Sequence, residues 1–492
     1  MTLKKQVAHG LKWQAITIIG QRLLSLVVFT TLARLLDPSA FGLVALVGVY
    51  MFFASMVADQ GIGTALVQRQ NLEPEHVDTA FWFNSGCSLI LCLGTIALAR
   101  PVSRLFGEPR LAPLLCWSSL LLVINATSAI HGTLFVRAMD FRRPAIRTLV
   151  ANVAGGAIGV GLAFAGCGVW ALVGQQLVAA FAGAVFLWAA SDYRPAARFS
   201  LPHLRDLFGV SSSILATSFL WFFSSRLDQI VIGRFAGVPA LGLYVIAGKV
   251  PDLANTVTQQ PMTEVSLPAL SRLQNDHKQM QKAIYKGMEL HALVAFVVFV
   301  GIAAVASDLV PLLFGSKWTA ASGLCSLLSL SALVNALQIF FYPALMATGG
   351  AGNYVFLSVL HALGVLVACV VGIRFGVAWL VVGIIVNNLI LVGPAMFYLR
   401  NRIGLSPLEH YKPCLVPAVA SLFMSAIIWA TAHMLPTDIM PALRLTCKVL
   451  IGGATYFGCV LLFAPSALRA LAQTAGHAFH SSNTLADVST TT

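Results

Sequence analysis

The chain has 492 residues, of which 58% are hydrophobic and only 10% charged, and it carries a formal net charge of +13. With a mean hydropathy of +0.84 it has too little polar surface to cover a water-soluble body of this length, which excludes a soluble enzyme or binding module. The positive balance reads as a membrane-topology signal and a contact with anionic headgroups, not as nucleic-acid binding.

Apolar runs of about 20 residues, long enough to cross roughly 30 Å of hydrocarbon as helix, recur along the chain. In order they fall at 12–35, 40–62, 77–99, 111–135, 146–166, 169–190, 207–233, 240–268, 287–313, 318–347, 353–375, 377–399, 412–434 and 443–465. The expected fold class is an all-α polytopic membrane protein with about 14 transmembrane helices. No loop between the runs is long enough to hold a soluble domain. The first run carries Arg22 at mid-span and no small-residue cleavage site after it, so it reads as an uncleaved first span. Lys and Arg favour the N-terminal side of the predicted topology by about two to one, which predicts cytoplasmic N- and C-termini. Arg444 and Lys448 count with the opposite face. The nine cysteines include no C-x-x-C pair and read as small core residues, not disulfides or metal ligands.

The chain repeats itself. RLLDPSAFGLV (Arg34 to Val44) returns as RFAGVPALGLY (Arg234 to Tyr244), with Arg, Ala, Gly and Leu at matching offsets. The first copy follows helix 1 and the second follows helix 7, so an even number of helices separates them. The two halves then share one orientation, a parallel repeat about an axis along the membrane normal. Leu105-Phe106-Gly107 and Leu313-Phe314-Gly315 echo each other at an offset of 208, and Asn125 and Asn335 at 210, a drift from 200 that fits the longer segment after helix 8. The expected organisation is an N-lobe at 1–190 (helices 1–6), a cytoplasmic linker at 191–206 and a C-lobe at 207–399 (helices 7–12). Two extra C-terminal helices at 400–468 and a disordered cytoplasmic tail at 469–492 complete it. The polar stretch SRLQNDHKQMQKAIYKG after helix 8 is expected to form a short surface helix. GGAIGVG, Gly155 to Gly161, lacks the strand and the Lys-Ser/Thr of a phosphate loop and reads as close helix packing.

Several segments carry a family resemblance: ARLLDPSAFG, ADQGIGTALVQRQNL, FVRAMDFRRPA, LDQIVIGRFAG, LGLYVIAGKV, LPALSRLQND and LFGSKW. As a set, in order over helices 1 to 12, the chain resembles the polysaccharide-transporter branch of the multidrug/oligosaccharidyl-lipid/polysaccharide (MOP) flippase superfamily. The Wzx-type proteins of the colanic-acid-exporter-like subgroup are the nearest in pattern. The resemblance implies two six-helix lobes in a V around a central cavity. It also implies a flippase that moves undecaprenyl-pyrophosphate-linked oligosaccharides across the bacterial inner membrane for exopolysaccharide or lipopolysaccharide biosynthesis, with lipid-linked oligosaccharide and membrane lipids as partners. A polysaccharide polymerase or co-polymerase is a further expected partner.

A pyrophosphate crossing hydrocarbon needs cations in a water-filled route, and the arginine fork suits phosphate oxygens. Arg22 and Lys249 lie about nine or ten residues into their helices, roughly 15 Å deep at 1.5 Å per residue. Arg226 lies nearer the periplasmic end of helix 7. These three, with Gln21, Asn255 and Gln259, are the candidate contacts for pyrophosphate and sugar. Lys249, Asp252, Asn255 or Thr256, and Gln259 share one helical face, and Pro251 and Pro261 should bend that helix. Asp59, Asp228 and Asp252 are candidate coupling carboxylates. The competing reading makes the charges internal ion pairs, Lys249 with Asp252 and Arg226 with Asp228, and the amides interhelical glue.

The functional alternative is a cation antiporter of the related multidrug (MATE) branch, which would want an acidic cavity, whereas the buried charges here are mainly basic. An enzyme is not expected: outward loops are short, and no HExxH, nucleophile elbow or nucleotide-sugar motif occurs. No metal ligands and no cofactor site are read from the sequence.

Overall fold

The computed structural model describes residues 20–21, 24–59, 61–69, 71–208, 211–434 and 440–465, and no strand occurs among them. Arg22 and the expected tail at 469–492 lie outside the described residues. Eleven described helices are long and apolar enough to cross a membrane. Of the other three expected spans, the first is described only in part, as α1 (Leu24–Leu35). The seventh is α10 (Ser211–Val231) and the eighth begins as α11 (Val238–Thr258). The polar stripe of α11 lowers its hydropathy. The chain divides into two compact units, 1–242 and 243–492.

The first unit runs through α2 (Pro38–Asp59), α3 (Ile62–Gln68), α4 (Pro74–Phe106), α5 (Leu111–Ser118), α6 (Leu120–Arg137), α7 (Arg142–Phe164), α8 (Trp170–Ala190), the short α9 (Leu201–Phe208) and α10. Glycine decides how closely its helices approach. A Cβ at Gly155 would sit 2.6 Å from the Gln175 carbonyl and 2.7 Å from Ala179 Cβ, and one at Gly159 2.8 Å from Gln175 Cβ, so the glycine run of α7 is a packing face for α8. Gly42 at the start of α2 and Gly242 at the start of α11 belong to the two copies of the repeat, and each lies against the other copy's backbone. Gly107 ends α4 with φ +69, a left-handed conformation that glycine adopts without a Cβ penalty. Its echo Gly315 ends α13 with φ +102. The linker, without helix or strand at 191–200, leads into α9.

The second unit is built on α13 (His277–Phe314), with α12 (Gln260–Arg272), α14 (Ser322–Ala336), α15 (Phe341–Ala347), α16 (Ala351–Gly372), α17 (Val377–Ile403), α18 (Pro407–Tyr411), α19 (Leu415–Met434) and α20 (Pro441–Phe463). The separate surface helix expected after helix 8 does not form. The chain leaves α12, turns at 273–275 and enters α13, whose N-terminus is capped by the Asp276 carboxylate accepting the Gln279 N–H at 3.0 Å. With no breaker in the following turns, the polar residues simply continue into the apolar helix. The eighth expected span is interrupted at Gln259, and Pro261 sits in the first turn of α12, where its missing N–H is tolerated. The two C-terminal helices pack on α13: Tyr456 donates its hydroxyl to the Leu293 carbonyl at 2.8 Å, and Lys448 pairs with Asp308. Lys448 is 2% exposed, so this lysine is a buried partner within the unit.

Candidate functional site

In the first unit, Arg226 projects from α10 onto α2. Its guanidinium lies 5.4 Å from the centroid of the Phe52 ring, which stacks on Phe222 at 5.9 Å with an interplanar angle of 7°. A cation over an aromatic face is attracted by the ring quadrupole, by about 0.5–1 kcal/mol at exposed sites and about 2 kcal/mol when desolvated. Among the described residues Arg226 Nε is buried with no hydrogen-bond partner, and no ion pair joins Arg226 to Asp228. The Asp228 carboxylate instead accepts the Gln229 N–H at 2.8 Å. The arginine is thus set over the Phe52 ring, and its Nε keeps a donor that no described residue takes. Gln21 is half-buried on a helical stretch, and Asp59 ends α2.

In the second unit, the stripe of α11 is a built polar face. Gln259 donates its amide N–H groups to Asn255 Oδ1 at 2.6 Å and to the Ala332 carbonyl of α14 at 3.1 Å. Both amide hydrogens are spent on fixing α11 and α14, and the Gln259 carbonyl is left to accept. Lys249 is half-buried one turn before the exposed Asp252. Each of them also makes an interaction within the molecule. The structure brings Lys249, Asp252 and Asn255 onto α11 and sets Gln259 just past its end.

Two networks escape a reading of the sequence alone. Asn388 donates to Asn335 Oδ1 at 3.0 Å, its own Oδ1 lies 3.0 Å from His361 Nε2, and its backbone carbonyl accepts from Gln338 at 2.9 Å. Asn387 donates to the His361 carbonyl at 3.3 Å. These amides join α14, α16 and α17, and only the presence of several Asn and Gln inside apolar runs could have pointed to them. The second network ties the linker to the start of α4. Tyr193 donates to Asp78 Oδ1 at 2.8 Å, the Ala196 N–H bonds the same oxygen, and the Ser200 N–H bonds Thr79 Oγ1 at 3.1 Å. Trp82 Nε1 donates to the Ala196 carbonyl at 2.8 Å, and Arg198 pairs with Glu75.

Apolar helices of spanning length, with cations and amides held inside them, define a multi-pass helical membrane protein. Residues 31–323 match the polysaccharide biosynthesis protein family, and the chain belongs to it. Over 476 residues it is 28% identical to the succinoglycan biosynthesis transport protein ExoT of Rhizobium meliloti (strain 1021), covering 95% of each chain. Over 320 residues it is 27% identical to the lipopolysaccharide biosynthesis protein WzxC of Escherichia coli (strain K12), covering 65% of each. The fold is that of the lipid II flippase MurJ in its inward closed conformation, with a TM-score of 0.75 at 14% identity over 92% of this chain and 99% of that one.

Proposed function

We propose that this protein is a flippase for undecaprenyl-pyrophosphate-linked oligosaccharide repeat units, acting by alternating access in the bacterial inner membrane with both termini in the cytoplasm. Similarity to a succinoglycan transport protein over 95% of each chain is the observation that carries this reading, and a fold shared with a lipid II flippase supports it. Arg226, with a buried Nε unclaimed by any described carboxylate, is the described residue best suited to meet a pyrophosphate. Arg22 and Lys249 are the other proposed phosphate contacts, and Gln21, Asn255 and Gln259 the sugar contacts. Asp59, Asp228 and Asp252 are the proposed coupling carboxylates. The lobes at 1–190 and 207–399, the linker at 191–206, the helices at 400–468, the tail at 469–492 and the association with a polymerase belong to the same proposal. The test is deletion of the gene followed by isolation of lipid-linked intermediates. The expected result is accumulation of one oligosaccharide on the cytoplasmic face, relieved by the wild-type gene. Unchanged intermediates together with sensitivity to cationic drugs would favour the antiporter instead.

A further inference from the structure

Where the linker meets the start of α4, two histidines and a carboxylate converge. Glu73 is the residue before α4, His76 lies in its first turn, and His203 is on α9. One ligand atom from each lies within 4.8 Å of the other two. His203 Nε2 is 3.0 Å from Glu73 Oε2, and its Nδ1 faces Ser200 Oγ. The His76 and His203 rings lie edge to face with centroids 4.3 Å apart. His76 is 2% exposed, and its Nε2 has no hydrogen-bond partner among the described residues. A buried imidazole nitrogen without a partner is costly, and the gap between a carboxylate oxygen and an imidazole nitrogen 3.0 Å apart is filled by a proton or by a metal ion.

We propose that Glu73, His76 and His203 form a binding site for a divalent first-row transition metal such as Zn2+, which staples the linker to the start of α4. Two imidazoles and a carboxylate are the donor types such ions take, with water completing the coordination. The Ser200 hydroxyl orients the His203 ring from behind, as outer partners of ligating histidines do. Asp206, 4.0 Å from His76 Nε2 and paired with Arg69 at 3.2 Å, borders the site without being counted as a ligand. Binding through His76 Nε2 moves the ring proton to Nδ1. That gives up the bond Nδ1 accepts from the Glu73 N–H, which at 3.3 Å is a long one. The sequence hides this site because Glu73 and His203 are 130 positions apart.

The experiment uses the full chain, purified in detergent and stripped with EDTA, then titrated with Co2+ alone and with Zn2+ alone. One equivalent of Co2+ should give visible ligand-field bands that Zn2+ abolishes. His203→Gln and His76→Gln should each weaken Co2+ binding beyond the roughly 10- to 100-fold typical of losing an outer-shell partner. Size-exclusion profiles confirm folding, and the exposed Glu73→Gln replaces any histidine variant that aggregates. Absence of stoichiometric Co2+ binding to the wild type, or equal binding by the folded variants, overturns the proposal.

Discussion

Gly42 lies directly against the backbone of Val238, so that a Cβ on the glycine would come within 1.9 Å of the Val238 carbonyl oxygen. The relation is reciprocal, because a Cβ on Gly242 would come within 1.9 Å of the Pro38 carbonyl. Residues 38 and 42 contact residues 242 and 238, each offset by the 200 positions that separate the copies of the repeat. The two copies therefore meet as a self-complementary pair, in the manner of an isologous two-fold contact. The duplicated motif packs on itself, and glycine is what permits backbones to come that near.

Gly42→Ala and Gly242→Ala should each destabilise the protein by about 1–3 kcal/mol, the range for forcing extra volume into a packed contact. Thermal unfolding in detergent measures it. The double variant should lose less than the sum, since either methyl already separates the backbones. Midpoints unchanged from wild type would mean that the approach is not required.

Lys448, with a side chain 3% exposed, pairs with Asp308, and Arg444 Nε lies 3.7 Å from the same carboxylate. Removing Lys448 leaves Asp308 only the more distant Arg444, so Lys448→Met should destabilise the protein, by less than the about 3–5 kcal/mol of a buried charge left with no partner. Lys448→Met combined with Asp308→Asn should recover part of the loss. Yield of monodisperse protein and melting midpoint are the readouts, and a double variant worse than the single would contradict the pairing.

Gly364 makes room for the amide network of the second unit, since a Cβ there would lie 1.8 Å from Asn387 Oδ1. Gly364→Ala should displace Asn387 and lose its bond to the His361 carbonyl. Bonds of this kind average about 0.6 kcal/mol in membranes, with displacement strain in addition. Asn387→Ala should relieve the strain of Gly364→Ala, which a double-variant cycle detects as coupling.

Burial pushes the Tyr193 phenol above its ordinary value of 10, and its hydrogen bond to the Asp78 carboxylate pushes the same way. A raised value in the folded state means that the contribution is complete below pH 10. It is lost as the pH climbs above 10, because the unfolded chain ionises there first. Melting midpoints of the wild type should fall over that alkaline window, and Tyr193→Phe should flatten this part of the fall. Parallel curves for both proteins would remove Tyr193 as the cause.

The spans were legible because hydrocarbon thickness fixes helix length, and the repeat was legible because its glycines and its register are written in the chain. Family membership followed from the same segments. Less accessible was the end of a helix: the polar residues after Asp276 resemble a surface segment, yet one cap lets them begin α13. The seat of Arg226 was not legible either. Asp228, its sequence neighbour, suggested an ion pair, while the ring beneath it comes from α2, far away in the chain. Hydropathy placed Lys448 near a membrane face, but only tertiary packing reveals Asp308 beside it. Three-dimensional partners decide whether a charge in an apolar run serves packing or remains available.

Reconstitution in liposomes measures transport itself. Purified protein in liposomes carrying undecaprenyl-pyrophosphate-linked oligosaccharide should speed loss of the lipid from one leaflet, read by a membrane-impermeant glycan-modifying enzyme. Arg226→Ala and Lys249→Ala should each slow that movement by about 10- to 100-fold, the equivalent of losing one hydrogen bond to a charged group. Wild-type liposomes that move the lipid no faster than protein-free ones would contradict the account.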